Sequence, residues 1–376
     1  MTQTHNLFSP IKVGSSGLQT RVVLAPLTRT RALPGNIPSD LATEYYTQRA
    51  ASPGTLLITE ATYISPGSAG VPIPGDGIVP GIWSEEQLDA WKTIFDSVHK
   101  AGSSIYVQLW DIGRVAWYDK LQELGNYFPT GPSAIPMKGE DSPHLKALTH
   151  WEIKGKVALY VNAAKNAIAA GADGVEIHSA NGYLPDTFLR SGSNQRTDEY
   201  GGSVENRARF SLEIVDAIVE AIGAEKTAIR LSPWSTFQDI EVNDSETPEQ
   251  FTYLFEQLQK RADEGKQLAY VHVVEPRLFG PPEPWATNEP FRKIWKGNFI
   301  RAGGYERETA LEDADKANNT LIAFGRDFIS NPDLVERLQK NEPLAKYDRN
   351  TFYVPGAKGY TDYPAYEQDG RGDSAL

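Results

Sequence analysis

Cysteine is absent from this chain of 376 residues. That excludes disulfides, thiolate metal sites and a cysteine nucleophile. Positive charge is short: 37 lysines and arginines stand against 49 aspartates and glutamates, a net charge of −12. No lysine or arginine run builds a basic face, so neither nucleic acid nor an anionic membrane is an expected partner. No apolar run of about 18 residues could span a bilayer. Met1 to Pro10 has neither the basic lead nor the apolar segment of a signal peptide. The expectation is a soluble, cytoplasmic protein, monomer or homodimer, that acts on small molecules. Hydrophobic residues make up 40% and aromatics 10%, enough for a sizeable core.

Against that background, eight short runs rich in Val, Ile and Leu recur. They are Val22 to Pro26, Leu56 to Thr62, Ser104 to Trp110, Gly174 to His178, Thr227 to Ser232, Tyr270 to Val274, Phe299 to Gly303 and Thr320 to Gly325. Helical patterns with start signals lie between most of them. Ser84 with Gln87, and Thr149 with Glu152, read as capping boxes. Leu88, Trp91, Phe95 and Val98 would form the buried face of the helix after Ser84. Thr247 with Pro248 and Gln250 predicts a third start, and Asn331 with Pro332 the last. Eight strands with crossover helices at this length predict a (β/α)8 TIM barrel. No composition break divides the chain, so residues 1–376 read as one domain. The segment from Asn6 to Thr20 would form an N-terminal hairpin closing the barrel bottom.

Three connections are long: Asp111 to Leu148, Ser179 to Val204 and Glu275 to Trp295, the last holding Pro276, Pro281, Pro282, Pro284 and Pro290. All leave C-terminal strand ends, where barrel enzymes keep their sites. The loop after strand three, with Tyr118, Tyr127 and Phe128, is a candidate cap or lid.

The stretch from Asp173 to Leu184 is the richest in chemistry. Val175 and Ile177 alternate with Glu176 and His178, so His178 should face opposite the two aliphatic residues. Asn181 and Tyr183 follow across a turn at Gly182. The three offer hydrogen-bond donors for a substrate oxygen and, from Tyr183, a proton. Gln108 and Arg230 sit mid-strand, where polar groups are costly unless paired. They either pair with each other, Glu60 or Glu176, or hold a planar polar heterocycle. Strands seven and eight end in Gly303-Gly304 and Gly325-Arg326. There, backbone N–H groups and one cation could take an anion, as phosphates are taken in such barrels.

These residues resemble those of the Old Yellow Enzyme family, the FMN-dependent ene-reductases, in a fungal-like form. The likeness runs from Leu7-Phe-Ser-Pro-Ile-Lys-Val-Gly to Gly359-Tyr-Thr-Asp-Tyr-Pro. Its most specific parts are Leu24-Ala-Pro-Leu-Thr28-Arg, Val107-Gln-Leu-Trp110, His178-Ser-Ala-Asn181-Gly-Tyr183, Arg196-Thr-Asp-Glu-Tyr-Gly-Gly-Ser-Val-Glu-Asn-Arg207 and Phe324-Gly-Arg326. The resemblance implies non-covalent FMN at the C-terminal mouth and NADPH as hydride donor. Pro26, Leu27, Thr28, Ala61, Gln108 and Arg230 would contact the isoalloxazine, with Phe352 packing on the flavin side. Gly303, Gly304, Gly325 and Arg326 would hold the phosphate. His178 and Asn181 would bind the carbonyl oxygen of an α,β-unsaturated aldehyde or ketone, and Tyr183 would protonate its α-carbon. Trp110 and Tyr353 would shape the substrate pocket. The implied mechanism is ping-pong: NADPH reduces FMN and leaves, then hydride passes to the β-carbon. Thr28 in place of cysteine resembles the yeast and enterobacterial branch.

Three departures bear on substrate range. Ser65 to Gly70 lacks a tyrosine that many relatives carry, with Tyr63 coming earlier. The segment from Ile73 to Ile78 is longer, and Asp111 to Arg114 differs. The resemblance leaves two alternatives for this chain: a fungal ergot-alkaloid-type aldehyde reductase, or a catalytically quiet flavin protein holding phenolic ligands, which would share the whole FMN site and against which the intact His178, Asn181 and Tyr183 set argues. A barrel glycosidase needs two carboxylates flanking a bond. Glu60, Glu176 and Glu275 lie near strand ends, but that reading leaves the glycine pairs and Arg230 unexplained.

Overall fold

The computed structural model describes residues 5–73, 77–140, 142–276 and 282–366. Pro281 and residues 74–76 of the longer segment after strand two lie outside them. Eight parallel strands close into a barrel: Val22–Leu24, Leu56–Ile58, Ser104–Trp110, Gly174–Ser179, Thr227–Leu231, Tyr270–Val274, Phe299–Ala302 and Thr320–Phe324. Each pairs with its neighbours in sequence, and the eighth returns to the first through Ile322 opposite Val22. Thr62–Tyr63 extends the second strand's edge along the third. All eight expected strands are present, two with the expected bounds and six with the C-terminal end shifted by one to four residues.

Alternation sorts the side chains into two layers. Val175, Ile177, Ile229, Leu231, Val271 and Val273 face outward and bury against the helices. The inward set is apolar at the N-terminal end, where Val23, Leu56, Tyr106, Ala228, Tyr270 and Leu321 pack together. Towards the C-terminal end it turns polar, with Gln108, Glu176, His178, Arg230 and His272. Register aligns Gln108 with Glu176, and Arg230 with both His178 and His272. The expected hairpin pairs Ile11 with Leu18 and pushes Val13 and Leu18 into the apolar inner cluster. The barrel is thus plugged at its base and polar at its mouth.

Two helices start as read. Ser84 and Thr149 form reciprocal capping boxes with Gln87 and Glu152, opening Glu85–Lys100 and His150–Ala170. On the first, Trp91, Phe95 and Val98 are buried as expected, joined by Ile94, whereas Leu88 is only partly buried. The other two starts are corrected. The helix Glu246–Asp263 begins one residue before Thr247, with Ser245 as its N-cap, and Asn243 Oδ1 accepts from the N–H groups of Ser245 and Glu246. Asn331 starts no helix. It follows the short helix Arg326–Ser330, and its side chain exchanges hydrogen bonds with the backbone of Ala345. The last helix is Leu334–Lys340. The long connection after strand three is itself folded, into a helix Tyr118–Gly125 and a two-stranded ribbon pairing Thr130 with Lys146. Tyr118 stacks on His144 at 3.7 Å there.

Candidate active site

The polar inner layer is tied together. Glu176 accepts from Gln108 Nε2 at 2.7 Å and meets His272 Nδ1 at 2.9 Å. Of the alternatives open in the sequence, Gln108 therefore pairs with Glu176. Burial pushes the Glu176 carboxyl up, but His272, Arg230 and Gln108 outweigh it and hold it below its ordinary value. Arg230 lies beside this carboxylate, yet its Nε has no partner.

Above that layer, His178 ends the fourth strand on the inner face. Burial, then the charge of Arg230, holds its imidazole well below the usual range, so the ring is neutral at physiological pH. The following turn is held from outside the site. Asn181 adopts a left-handed φ of 60°, and its N–H donates to Ser232 Oγ at 2.7 Å. The Gly182 N–H donates to Asp186 Oδ2 at 2.9 Å, and Arg190 clamps Asp186. Tyr183 stands edge-on to both Trp110 and His178, with ring centroids 4.9 Å away in each case. Burial pushes its phenol well above the ordinary value.

Trp110 forms the wall. Tyr63 stacks on it at 5.2 Å, and the Tyr63 hydroxyl accepts from the Val71 N–H at 3.1 Å. Tyr63 therefore backs Trp110. Asp111, one residue on, is buried and takes Lys156 Nζ at 2.7 Å and Ser68 Oγ at 2.6 Å. The altered Asp111–Arg114 stretch thus pins the loops after strands two and three together.

A cavity of about 450 Å³ opens at the mouth. Pro26, Leu27, Thr28, Ala61, Gln108, Trp110, His178, Asn181, Tyr183, Arg230, Arg326, Phe352 and Tyr353 all line it. A second cavity, about 350 Å³, adjoins it through Pro26, Leu27, Arg230 and Arg326 and contains Gly303, Gly304 and Gly325. Every candidate residue therefore lines one or the other of these two adjoining cavities. A larger open groove of about 710 Å³ lies between the helices Val204–Ile222 and Glu246–Asp263. It gathers none of them, and its Arg261 is already paired with Asp216.

The residues fit an FMN. Trp110 Nε1, His178 Nδ1, Asn181 Oδ1 and Arg230 Nε are buried at the mouth with no partner among the described residues. Such atoms call for a polar occupant. In the adjoining cavity, Gly303 and Gly304 take φ values of 134° and 61°. A Cβ on Gly325 would come within 3.1 Å of Leu27 Cδ2. The backbone is thereby bared where an anion would sit beside Arg326.

Sequence reasoning missed two sets of residues. Arg349 lines the mouth cavity but carries no motif. Arg29 and Arg31 also went unread. They donate to the carbonyls of Thr351, Phe352, Gly356, Lys358 and Gly359. These bonds carry Phe352 and Tyr353 to the mouth from more than 300 residues away, a pairing no local pattern encodes.

The NADH:flavin oxidoreductase / NADH oxidase family matches residues 6–345. Enoate reductase 1 of Kluyveromyces lactis is 49% identical, over 96% of this chain and 94% of its own length. Chanoclavine-I aldehyde reductase of Penicillium roqueforti is 47% identical, over 95% of each chain. The crystal structure of Old Yellow Enzyme from Pichia sp. AKU4542 superposes with a TM-score of 0.89 at 42% identity, covering 96% of this chain and 94% of the other. With its closed parallel barrel, the chain belongs to this flavin oxidoreductase family, as an Old Yellow Enzyme-type, FMN- and NADPH-dependent oxidoreductase.

Proposed function

We propose that this chain reduces the C=C bond of α,β-unsaturated aldehydes and ketones in two half-reactions. One observation carries the reading: neutral His178, Asn181 and Tyr183 converge on one cavity, above Gln108 and Arg230, with buried polar atoms left open towards it. When bound and reduced by NADPH, FMN would supply the hydride for the β-carbon. Thr28, Gln108 and Arg230 would hold the polar edge of its ring. Pro26, Leu27, Ala61 and Phe352 would cover its apolar surface, and Gly303, Gly304, Gly325 and Arg326 its phosphate. His178 and Asn181 would donate to the substrate oxygen, where charge develops in the transition state. Tyr183 holds its proton firmly, because burial disfavours the phenolate, and would release it only to the α-carbon. Trp110 and Tyr353 would bound the substrate. Phenols would bind to the same donors, mimicking the developing enolate.

The test is anaerobic stopped flow on separated half-reactions. Replacing His178 and Asn181 together with Ala should slow reoxidation by enones by roughly two to three orders of magnitude and weaken phenol binding. Tyr183→Phe should slow reoxidation by cyclohexenone far more than reduction by NADPH. Nitroalkenes, whose anion is already stable, should still take hydride. Equal slowing of both half-reactions, or unchanged enone turnover, would remove Tyr183 as the proton donor.

A further inference from the structure

The helix His150–Ala170 buries one stripe against the barrel: Ile153, Tyr160, Ala163, Ala164, Ala167 and, among them, Lys156. A lysine in an apolar stripe is costly unless paired. Its partner is Asp111, the residue after Trp110. Strand parity turns Trp110 into the mouth and Asp111 outward to that helix. The Asp111 side chain is 1% exposed and the Lys156 side chain 10%, with Nζ 2.7 Å from Oδ2. Oδ2 also accepts from Ser68 Oγ at 2.6 Å, and Oδ1 from the Gly113 N–H at 3.1 Å. The main chain around this carboxylate reaches both walls of the substrate cavity. The Trp110 carbonyl accepts from the Ile64 N–H at 3.2 Å, and the Asp111 carbonyl from the N–H of Leu184, the residue after Tyr183, at 3.1 Å. Gly113 has a φ of 69°, and a Cβ there would lie 3.0 Å from Leu184 Cα. The turn that Asp111 closes therefore rests against the backbone that carries Tyr183.

We propose that Asp111 and Lys156 are positioning residues: their buried ion pair fixes the end of the third strand against the turn at Leu184, and so sets where Tyr183 stands relative to Trp110. Neither side chain lines the mouth cavity, so the pair acts through those two rings, whose centroids are 4.9 Å apart. A buried ion pair returns little net stability, because lost hydration offsets the attraction. What it supplies here is direction. The carboxylate is bonded at once to the helix, to the loop after the second strand and to its own turn, which an apolar pair of like volume could not do. The inference rests on the reading of Tyr183 as proton donor. In that step the Tyr183 O–H bond breaks, and a C–H bond forms at the α-carbon with the electron pair freed by hydride addition. The negative charge passes to the phenol oxygen, which then takes a proton from solvent. Hydride transfer itself does not need the phenol, so the pair governs protonation and leaves the hydride step aside.

The experiment uses the FMN-loaded enzyme and replaces both charges together, Asp111→Leu with Lys156→Met, so that no buried charge is left alone. Tyr183→Phe and the triple variant complete the set. Stopped-flow reoxidation is read with cyclohexenone, which needs the proton, and with a nitroalkene, which does not. The double variant should keep its flavin and its melting temperature. Its reoxidation by cyclohexenone should slow by about ten- to a hundredfold, as for a reacting group displaced by about an ångström, while the nitroalkene rate stays near the native one. In the Tyr183→Phe background the double replacement should add nothing. If Tyr183→Phe leaves cyclohexenone reoxidation unchanged, the proton-donor reading itself fails. If Tyr183→Phe slows it but the double variant does not, slows both oxidants alike, or multiplies with Tyr183→Phe, the role of the pair is overturned and that of Tyr183 stands. Should the double variant lose its fold or flavin, Ser68→Ala decides by the same ratio of the two oxidants. It removes one directional bond to Asp111 and leaves the charges in place; a lower cyclohexenone rate relative to the nitroalkene supports the role, and an unchanged ratio overturns it.

Discussion

Glu60 and Glu176 are both fully buried acids near the barrel's C-terminal end, and their neighbours drive them in opposite directions. Glu176 keeps its charge because Gln108, His272 and Arg230 all address it. Glu60 accepts from the N–H groups of Arg29, at 3.0 Å, and Thr30, at 3.4 Å. The guanidinium groups of Arg29 and Arg31 are turned instead to main-chain carbonyls of the C-terminal segment. Burial therefore wins, and the Glu60 carboxyl is pushed up from 4.5 to about 7. A folded value above the unfolded one means that folding takes up a proton between the two. The stability it contributes is full below about pH 4.5 and is lost as pH rises to about 7, on the order of 3 kcal/mol. Glu60→Gln, which cannot ionise, should flatten that slope. Urea midpoints between pH 5 and 8 should show the variant gaining on the native chain as pH rises, and parallel curves would refute the assignment. At this scale the sequence was legible where chemistry is local. Strand parity put His178, Gln108 and Arg230 on the inner face. It could not choose between Glu60 and Glu176 as the partner of Gln108, because that depends on which strand lies alongside.

Between residues and the whole barrel stand the turns, and the one at Gly182 is the most constrained. Its Cβ position is occupied by Gln238, and its φ is one that alanine disfavours. Gly182→Ala should push the turn away from Gln238 and displace Asn181 and Tyr183 together. The barrel strands, and the glycine and arginine residues beside Arg326, are untouched by that change. Flavin content should therefore stay near one per chain while enone reoxidation falls by more than about tenfold, as for a misplaced reacting group. Absorbance at the flavin band and stopped-flow reoxidation, run on one preparation, check both halves; loss of flavin in step with activity would place the damage elsewhere. Strands and capping boxes could be read because each is written in contiguous residues. The start at Asn331 misled because its side chain is used by Ala345, and the helix and ribbon inside the loop after strand three went unread because part of their order comes from Tyr118 stacking on His144, a contact invisible to periodicity.

For the molecule as a whole, polarity is graded along the barrel axis. Val13 and Leu18 seal an apolar base, while the mouth keeps Arg230, Arg326 and Arg349 in a chain whose net charge is −12. Four buried polar atoms there have no partner among the described residues. A ligand that satisfies some of them should stabilise the entire fold, since it binds the folded state alone. At a free concentration a thousand times its dissociation constant, that linkage amounts to about 4 kcal/mol. In a chain of this size it should raise the melting temperature by several degrees. Protein stripped of flavin should therefore melt lower than the same protein refilled with FMN. Arg326→Ala separates binding from architecture. If Arg326 serves the phosphate, the variant should melt with the stripped native chain when empty and fall short of it when refilled, with a weaker affinity for FMN by titration. If it melts lower by the same amount in both states, Arg326 is a structural residue and the anion is held by the glycine backbone alone.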